Sequence, residues 1–145
     1  MDNCTKYIRY DSPYSMADFG LDFSLDEYKN VHGLGANRKE LTFDINSIED
    51  GSIVFVKWDL TDKFLSILPQ LNDKLNSTNS KITLLTGRGD NSLHEHVVDY
   101  ILKFSCIDKW FRCNPISYHP QIEFLPIGFG EVERPYGKPE LLNIY

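Results

Sequence analysis

A single α/β domain with a short, mostly parallel sheet and flanking helices is what this sequence predicts, on three observations. Residues 52–58 and 81–86 are nearly unbroken β-branched, aliphatic and aromatic runs. Such runs suit strands covered on both faces, as in a parallel sheet. Their starts are separated by about one β-α-β unit of roughly thirty residues. The chain has 145 residues, the usual size of one domain and enough to bury a core without staples.

The elements follow in order. Residues 1–50 are polar and aromatic, and Tyr7, Tyr10, Tyr14, Phe19, Phe23 and Tyr28 recur without helical or strand periodicity. They are read as an irregular lobe with short elements, part of the same domain. Glu49-Asp50-Gly51 is a turn signal, and the α/β core, residues 51–128, begins there with the first clear strand. From Thr61 to about Asn76, Phe64, Leu65, Leu68, Leu71 and Leu75 fall on one helical face. Pro69 inside that pattern either kinks the helix or opens a second short one. After the second strand, Gly87-Arg88-Gly89-Asp90 forms a turn, and Ser92 and Glu95 have the spacing of a capping box. The helix it starts is lined by Leu93, Val97, Val98, Ile101 and Leu102. Further strands are expected at 110–112 and 122–126. The alternation of strands and helices predicts right-handed crossovers. Residues 129–145 are rich in Gly, Pro and charge and read as a linker.

Composition excludes several classes. Hydrophobic residues make up 41% and charged residues 25%, ordinary for a globular chain. The net charge of −6 and the pI near 5.1 argue against non-specific binding to nucleic acid or anionic membranes. Cys4, Cys106 and Cys113 are odd in number and show no CxxC spacing. Neither a disulfide framework nor a zinc site is expected, and reduced thiols fit a cytoplasmic location. Cys106 lies in an apolar stretch and reads as core. No signal-peptide pattern opens the chain and no apolar run is long enough for a membrane span. Aromatics at 13% supply either a dense core or flat surfaces for stacking on sugars or bases.

In open parallel sheets, ligands bind beyond the carboxyl ends of the strands. That selects three loops: Lys57-Trp58-Asp59, residues 86–90, and Arg112-Cys113-Asn114-Pro115. Gly87 and Gly89 let backbone approach a ligand, and Asp90 supplies a carboxylate for general-base chemistry or merely caps the next helix. The full dinucleotide and P-loop patterns are absent. Asp59 follows a strand, precedes a helix and has the position of a helix cap. Lys57 either binds a phosphate or pairs with Asp59. Asn114 either holds a turn or hydrogen-bonds a sugar hydroxyl. His94 and His96, two positions apart on the expected helix, do not share a face. His119 precedes Pro120 in a loop, and the histidines form no metal-ligand cluster.

Four blocks, in order, resemble the exostosin-like glycosyltransferase family, which includes members from large DNA viruses of algae. They are Asp50 through Asp59, ending Val56-Lys57-Trp58-Asp59; Ile82 through Asp90; Trp110-Phe111-Arg112-Cys113-Asn114; and His119-Pro120-Gln121-Ile122 with Leu125-Pro126-Ile127-Gly128. The sequence departs from the family's pattern at Gln121, usually Lys, and at Gly87-Arg88, more typically His-Asn.

The resemblance implies half of a GT-B architecture, that is, one of two Rossmann-like halves. It implies sugar transfer from a nucleotide-sugar donor to a glycan acceptor, with no cofactor and no essential metal. The matching blocks belong to the N-terminal, acceptor-facing half. The donor would then bind to a C-terminal half outside these residues, leaving the chain alone inactive. Within that reading Asp90 is the first base and Asp59 the second, while Arg88, Asn114, Trp58, Lys57 and His119 hold substrate. The alternatives are a non-catalytic carbohydrate- or nucleotide-binding module and an interaction domain that has lost its site.

Overall fold

In the computed structural model, described for residues 12–24, 26, 40–87, 94–113 and 118–125, the chain is an α/β domain with a Rossmann-like parallel sheet and flanking helices. The elements are α1 (Ser12–Met16), β1 (Phe19–Leu21), β2 (Ile53–Lys57), a 3-10 turn (Trp58–Leu60), α2 (Thr61–Ser77), β3 (Ile82–Gly87), α3 (Glu95–Ile101), β4 (Ile107–Arg112) and β5 (Ile122–Phe124). The sheet order is β1-β2-β3-β4-β5, and every neighbouring pair is parallel.

Strands laid down in chain order, each joined by a right-handed crossover, require their connecting helices on one face. The packing agrees. Phe64, Leu68, Leu71 and Leu75 of α2 and Val98 and Ile101 of α3 share one buried cluster with Val54, Val56, Ile82, Leu84, Ile107 and Trp110. Strand alternation sends Phe55 and Leu85 to the other face, where Tyr14, Ala17 and Leu41 cover them. Because the order never reverses, these five strands have no topological switch point. Their shared carboxyl edge remains the place where ligand-binding loops would converge.

Four local expectations are corrected. The sheet begins before residue 51: β1, at Phe19–Leu21, pairs with β2 over Phe19↔Val54 to Leu21↔Val56. Two contacts fix it there. Asp18 joins the amino end of β2, its N–H donating to the Ile53 carbonyl and its carboxylate accepting from the Ile53 N–H, both at 2.8 Å. Gly20 admits Leu41, whose Cδ1 would lie 2.7 Å from a β-carbon at that position.

Second, Pro69 opens no second helix: α2 is one element from Thr61 to Ser77. The ring lies on the solvent face, so the carbonyl it deprives of a donor can turn to water. Third, α3 starts at Glu95 and not at a Ser92 cap. His94 holds the N-cap position with extended backbone, ψ 144°, and makes no side-chain cap bond. Since His94 therefore precedes the helix, its ring stacks on His96 at 5.6 Å and 9°. Two residues inside one helix would not meet that way. The capping-box residues Ser92 and Leu93, like the linker at 129–145, lie outside the described residues.

β4 begins earlier than residue 110. Its register shifts after Ile107, which pairs with Ile82, while Lys109 pairs with Thr83. Asp108 is the extra residue of a bulge, and it allows Ile107 and Trp110 to face the same core.

Cys106 is fully buried just before β4, and burial pushes its thiol up to about 11. At pH 8 a thiol-modifying reagent should therefore label Cys106 about a hundredfold or more slowly than a free thiol. Mass spectrometry of the native protein would show this, and labelling should become rapid in denaturant. Fast native labelling would contradict the buried placement.

Candidate functional site at the carboxyl edge of the sheet

Strand alternation decides which side chains meet at this edge. Leu21, Val56, Thr86, Arg112 and Phe124 form one row across the five strands. Following Val54, Leu84 and Trp110, this row faces the helices. Lys57 and Gly87, one residue further on, point to the opposite face. The polar groups of the edge therefore fall into two clusters on opposite sides of the sheet.

The first cluster is an ion pair. Lys57 closes β2 and is 5% exposed. Its ammonium donates to Asp59 Oδ2 and lies 4.9 Å from the centroid of the Phe23 ring. A buried ammonium needs such partners, because desolvation without them costs several kcal/mol. The Asp59 carboxylate is about half exposed. It does not cap a helix: neither the 3-10 turn nor α2 has a side-chain cap bond. The turn is closed instead by the Thr61 hydroxyl, which donates to the Trp58 carbonyl at 2.7 Å.

The second cluster lies under the helices. Trp110 is fully buried, and its indole N–H donates to the Thr86 hydroxyl at 2.9 Å. The Arg112 guanidinium lies 5.1 Å from the Trp110 ring and 5.7 Å from the Trp58 ring. Burial pushes its pKa down, and the nearby charge of Glu95 opposes that shift. Beyond the last strand pair, β3 and β4 stay close. The Cys113 N–H donates to the Thr86 carbonyl at 3.4 Å, and a β-carbon on Gly87 would lie 3.3 Å from Cys113 Sγ. Burial raises the Cys113 thiol.

Comparison with family models, with curated proteins and with solved structures finds no match to this chain. The functional reading therefore rests on residues and geometry.

The structure brings Lys57 and Asp59 together as a pair, which is one of the two roles expected for Lys57. It separates Trp58 from them. Trp58 is 9% exposed and belongs to the helix-side core, so its ring is not presented to solvent as a stacking platform. The reason is the turn after β2, which folds Trp58 back over the helix face while Asp59 returns to Lys57. His119 sits elsewhere, in the turn entering the amino end of β5. Its Nδ1 accepts from the Gln121 N–H at 3.1 Å, and its carbonyl accepts from Ile122 at 2.9 Å. These bonds shape a turn, at the end of β5 away from its carboxyl edge. Asp90, Arg88 and Asn114 lie outside the described residues. Among the described residues no group of three metal-ligating side chains occurs, and no helix is long and apolar enough to cross a membrane.

Arg112 belongs to the strand expected at 110–112 and opens one of the three loops, but its sequence context assigns it no role of its own. Its sequence signal is a cation directly after two aromatic residues, Trp110-Phe111-Arg112.

Proposed function

We propose that this chain is the acceptor-side domain of a nucleotide-sugar-dependent glycosyltransferase that transfers a sugar to a glycan hydroxyl. The observation that carries the reading is the solvent-facing Asp59 carboxylate, held by Lys57 at the carboxyl edge of a parallel sheet. Transfer requires that the acceptor hydroxyl lose its proton as its oxygen bonds to the anomeric carbon and the nucleotide departs with the electrons of the broken bond. A carboxylate is a suitable proton acceptor, and the Lys57 contact orients it. Asp90, three positions past the end of β3 in the sequence, is the other base in this reading, and Arg88 and Asn114 are the acceptor contacts. The resemblance in sequence blocks supports the same class, as an analogy at the level of family and fold.

A second reading, a binding module without chemistry, has one observation in its favour. Asp59 already spends one oxygen on Lys57, as a residue with a purely structural role would.

Titration of the chain with short oligosaccharides and, separately, with nucleotide-sugars, followed through backbone amide shifts, tests both readings. Shifts at Lys57 and Asp59 with oligosaccharide alone are the expected result. Shifts with nucleotide-sugar alone would reverse the acceptor assignment. No shift in either series would reject both readings. Asp59→Asn then separates them: it should abolish sugar transfer by the complete enzyme if Asp59 is the base, and only alter binding if the domain is a module.

A further inference from the structure

Arg112 is 1% exposed, and its Nε and Nη2 atoms are buried without a hydrogen-bond partner among the described residues. Arginine stays charged under all ordinary conditions. Buried cations are normally paired, because an isolated one is strongly disfavoured. The indoles of Trp58 and Trp110 supply cation–π attraction. That attraction acts on the faces of the guanidinium plane. It leaves unanswered the in-plane edge that carries Nε–H and Nη2–H. These two parallel donors form the fork that matches the paired oxygens of a carboxylate or phosphate.

The position is also informative. Arg112 ends β4 at the carboxyl edge, one residue before the segment that leaves the sheet. The neighbouring Thr86 hydroxyl is occupied by the Trp110 N–H, which fixes that indole beside the guanidinium. Both aromatic contacts thus come from rigid surroundings, one on β4 itself and one in the turn tied by Thr61. A preorganised, desolvated and unsatisfied fork is costly to keep unless something meets it.

We propose that the Nε–Nη2 edge of Arg112 is a binding site for an oxyanion, the carboxylate or phosphate of a small ligand reaching the carboxyl edge of the sheet on its helix-bearing side. The site does not depend on the transferase reading, since it lies on the opposite side of the sheet from Lys57 and Asp59. Among the described residues the rival occupant is Glu95, the acidic group whose charge acts on Arg112.

The test follows the arginine Nε–H signals of the whole chain in proton–nitrogen spectra at constant ionic strength. The Arg112 signal is assigned through bonds from its backbone and confirmed by its loss in Arg112→Lys. Inorganic phosphate is titrated in one series and glucuronate in another, with chloride as the balancing anion. The expected result is a saturable shift of the Arg112 signal in at least one series, and which series responds tells phosphate from carboxylate. Arg112→Lys keeps the charge and loses the fork. Followed through the backbone amide of residue 112 instead, its affinity for the responding anion should fall about tenfold, the effect of about one lost charge-assisted hydrogen bond. In Arg112→Met, a rise in Tm with the responding anion should vanish, because only a native state that binds the anion is stabilised by it. If Arg112→Met does not fold, the wild-type titration still decides. An Arg112 signal that ignores both anions but moves in Glu95→Gln would overturn the proposal in favour of an internal pair. A signal that moves in none of these experiments would overturn it outright. Because inorganic phosphate carries no sugar, failure here is distinct from failure of the oligosaccharide titration.

Discussion

Trp110→Ala is expected to leave the domain largely unfolded at room temperature. Trp110 is fully buried on β4, beside Leu84 on β3 and Ile122 on β5 in the sheet register. Truncating a buried tryptophan costs about 3–5 kcal/mol in lost transfer energy and residual cavity. Two further losses are specific to this site. The Thr86 hydroxyl loses its indole donor, about 1 kcal/mol for an unsatisfied buried group. Arg112 loses the nearer of its two ring contacts. Together these approach the roughly 5–15 kcal/mol of total stability typical of a natural domain. Trp110→Phe retains much of the volume and removes only the N–H and part of the ring. It should cost about 1–3 kcal/mol and leave a cooperative transition. Urea unfolding followed by far-ultraviolet circular dichroism measures both. A loss under about 1.5 kcal/mol in the Ala variant would show that the sheet centre relaxes around the gap.

The fold was legible where hydrophobic pattern and element type agree. β2 and β3 are continuous apolar runs, and α2 repeats Phe64, Leu68, Leu71 and Leu75 at helical spacing. All four are buried. Legibility failed where tertiary contacts override local signal. β1 is Phe-Gly-Leu, too short to show a period. It is a strand because Asp18 clamps β2 and Leu41 packs onto Gly20. The bulge at Asp108 hid the first half of β4 by breaking its alternation. At the start of α3, the Ser92–Glu95 spacing suggested a cap, but the extended backbone at His94 defers the helix.

The candidate site was legible as a set of loops and less so as a geometry. Topology directs attention to the strand ends, and Lys57 and Asp59 pair with each other there. It does not tell which face of the sheet each residue takes. Lys57-Trp58-Asp59 reads as one functional tripeptide, yet the turn sends the indole under the helices and the two charges to the opposite side. His119 has the composition of a ligand contact but spends its ring nitrogen on Gln121. The most unusual electrostatic feature, the buried fork of Arg112, has a weak sequence signal. Its neighbours Thr86, Trp58 and Trp110 come from three different segments.

Lys74→Met should cost about 2–3 kcal/mol, far more than an ordinary substitution on the outer face of a helix, which stays within about 0.5 kcal/mol. Lys74 lies in the last turn of α2, where a cation also complements the helix dipole. Its ammonium donates to the carbonyl of Ile45 at 2.7 Å, to that of Asn46 at 2.9 Å, and to that of Ile48. An ammonium has three N–H donors, so all are in use on one short loop. That loop carries Ile48, fully buried in the main cluster, and leads directly into β2. It is also folded on itself by Asp44, whose carboxylate accepts from the Ser47 hydroxyl at 2.6 Å and the Asn46 N–H at 3.0 Å. The Ser47 hydroxyl first, and then the Asn46 N–H, hold that carboxyl below its usual range. Methionine retains the stem of Lys74 against the helix but leaves three converging carbonyl dipoles without a common donor. Bonds to charged groups contribute about 1.5–3 kcal/mol each when wholly lost, and water entering the partly exposed loop recovers much of that. Lys74→Arg keeps the charge, but a planar fork cannot aim at three converging carbonyls, so it should fall between wild type and Met. The readout is the urea midpoint, together with amide exchange at Ser47 and Ser52. In Lys74→Met, exchange at both should accelerate before global unfolding, because the loop is tied to α2 chiefly through this ammonium. Unchanged exchange with a loss below about 0.5 kcal/mol would mean that Ile48 alone holds the loop in place.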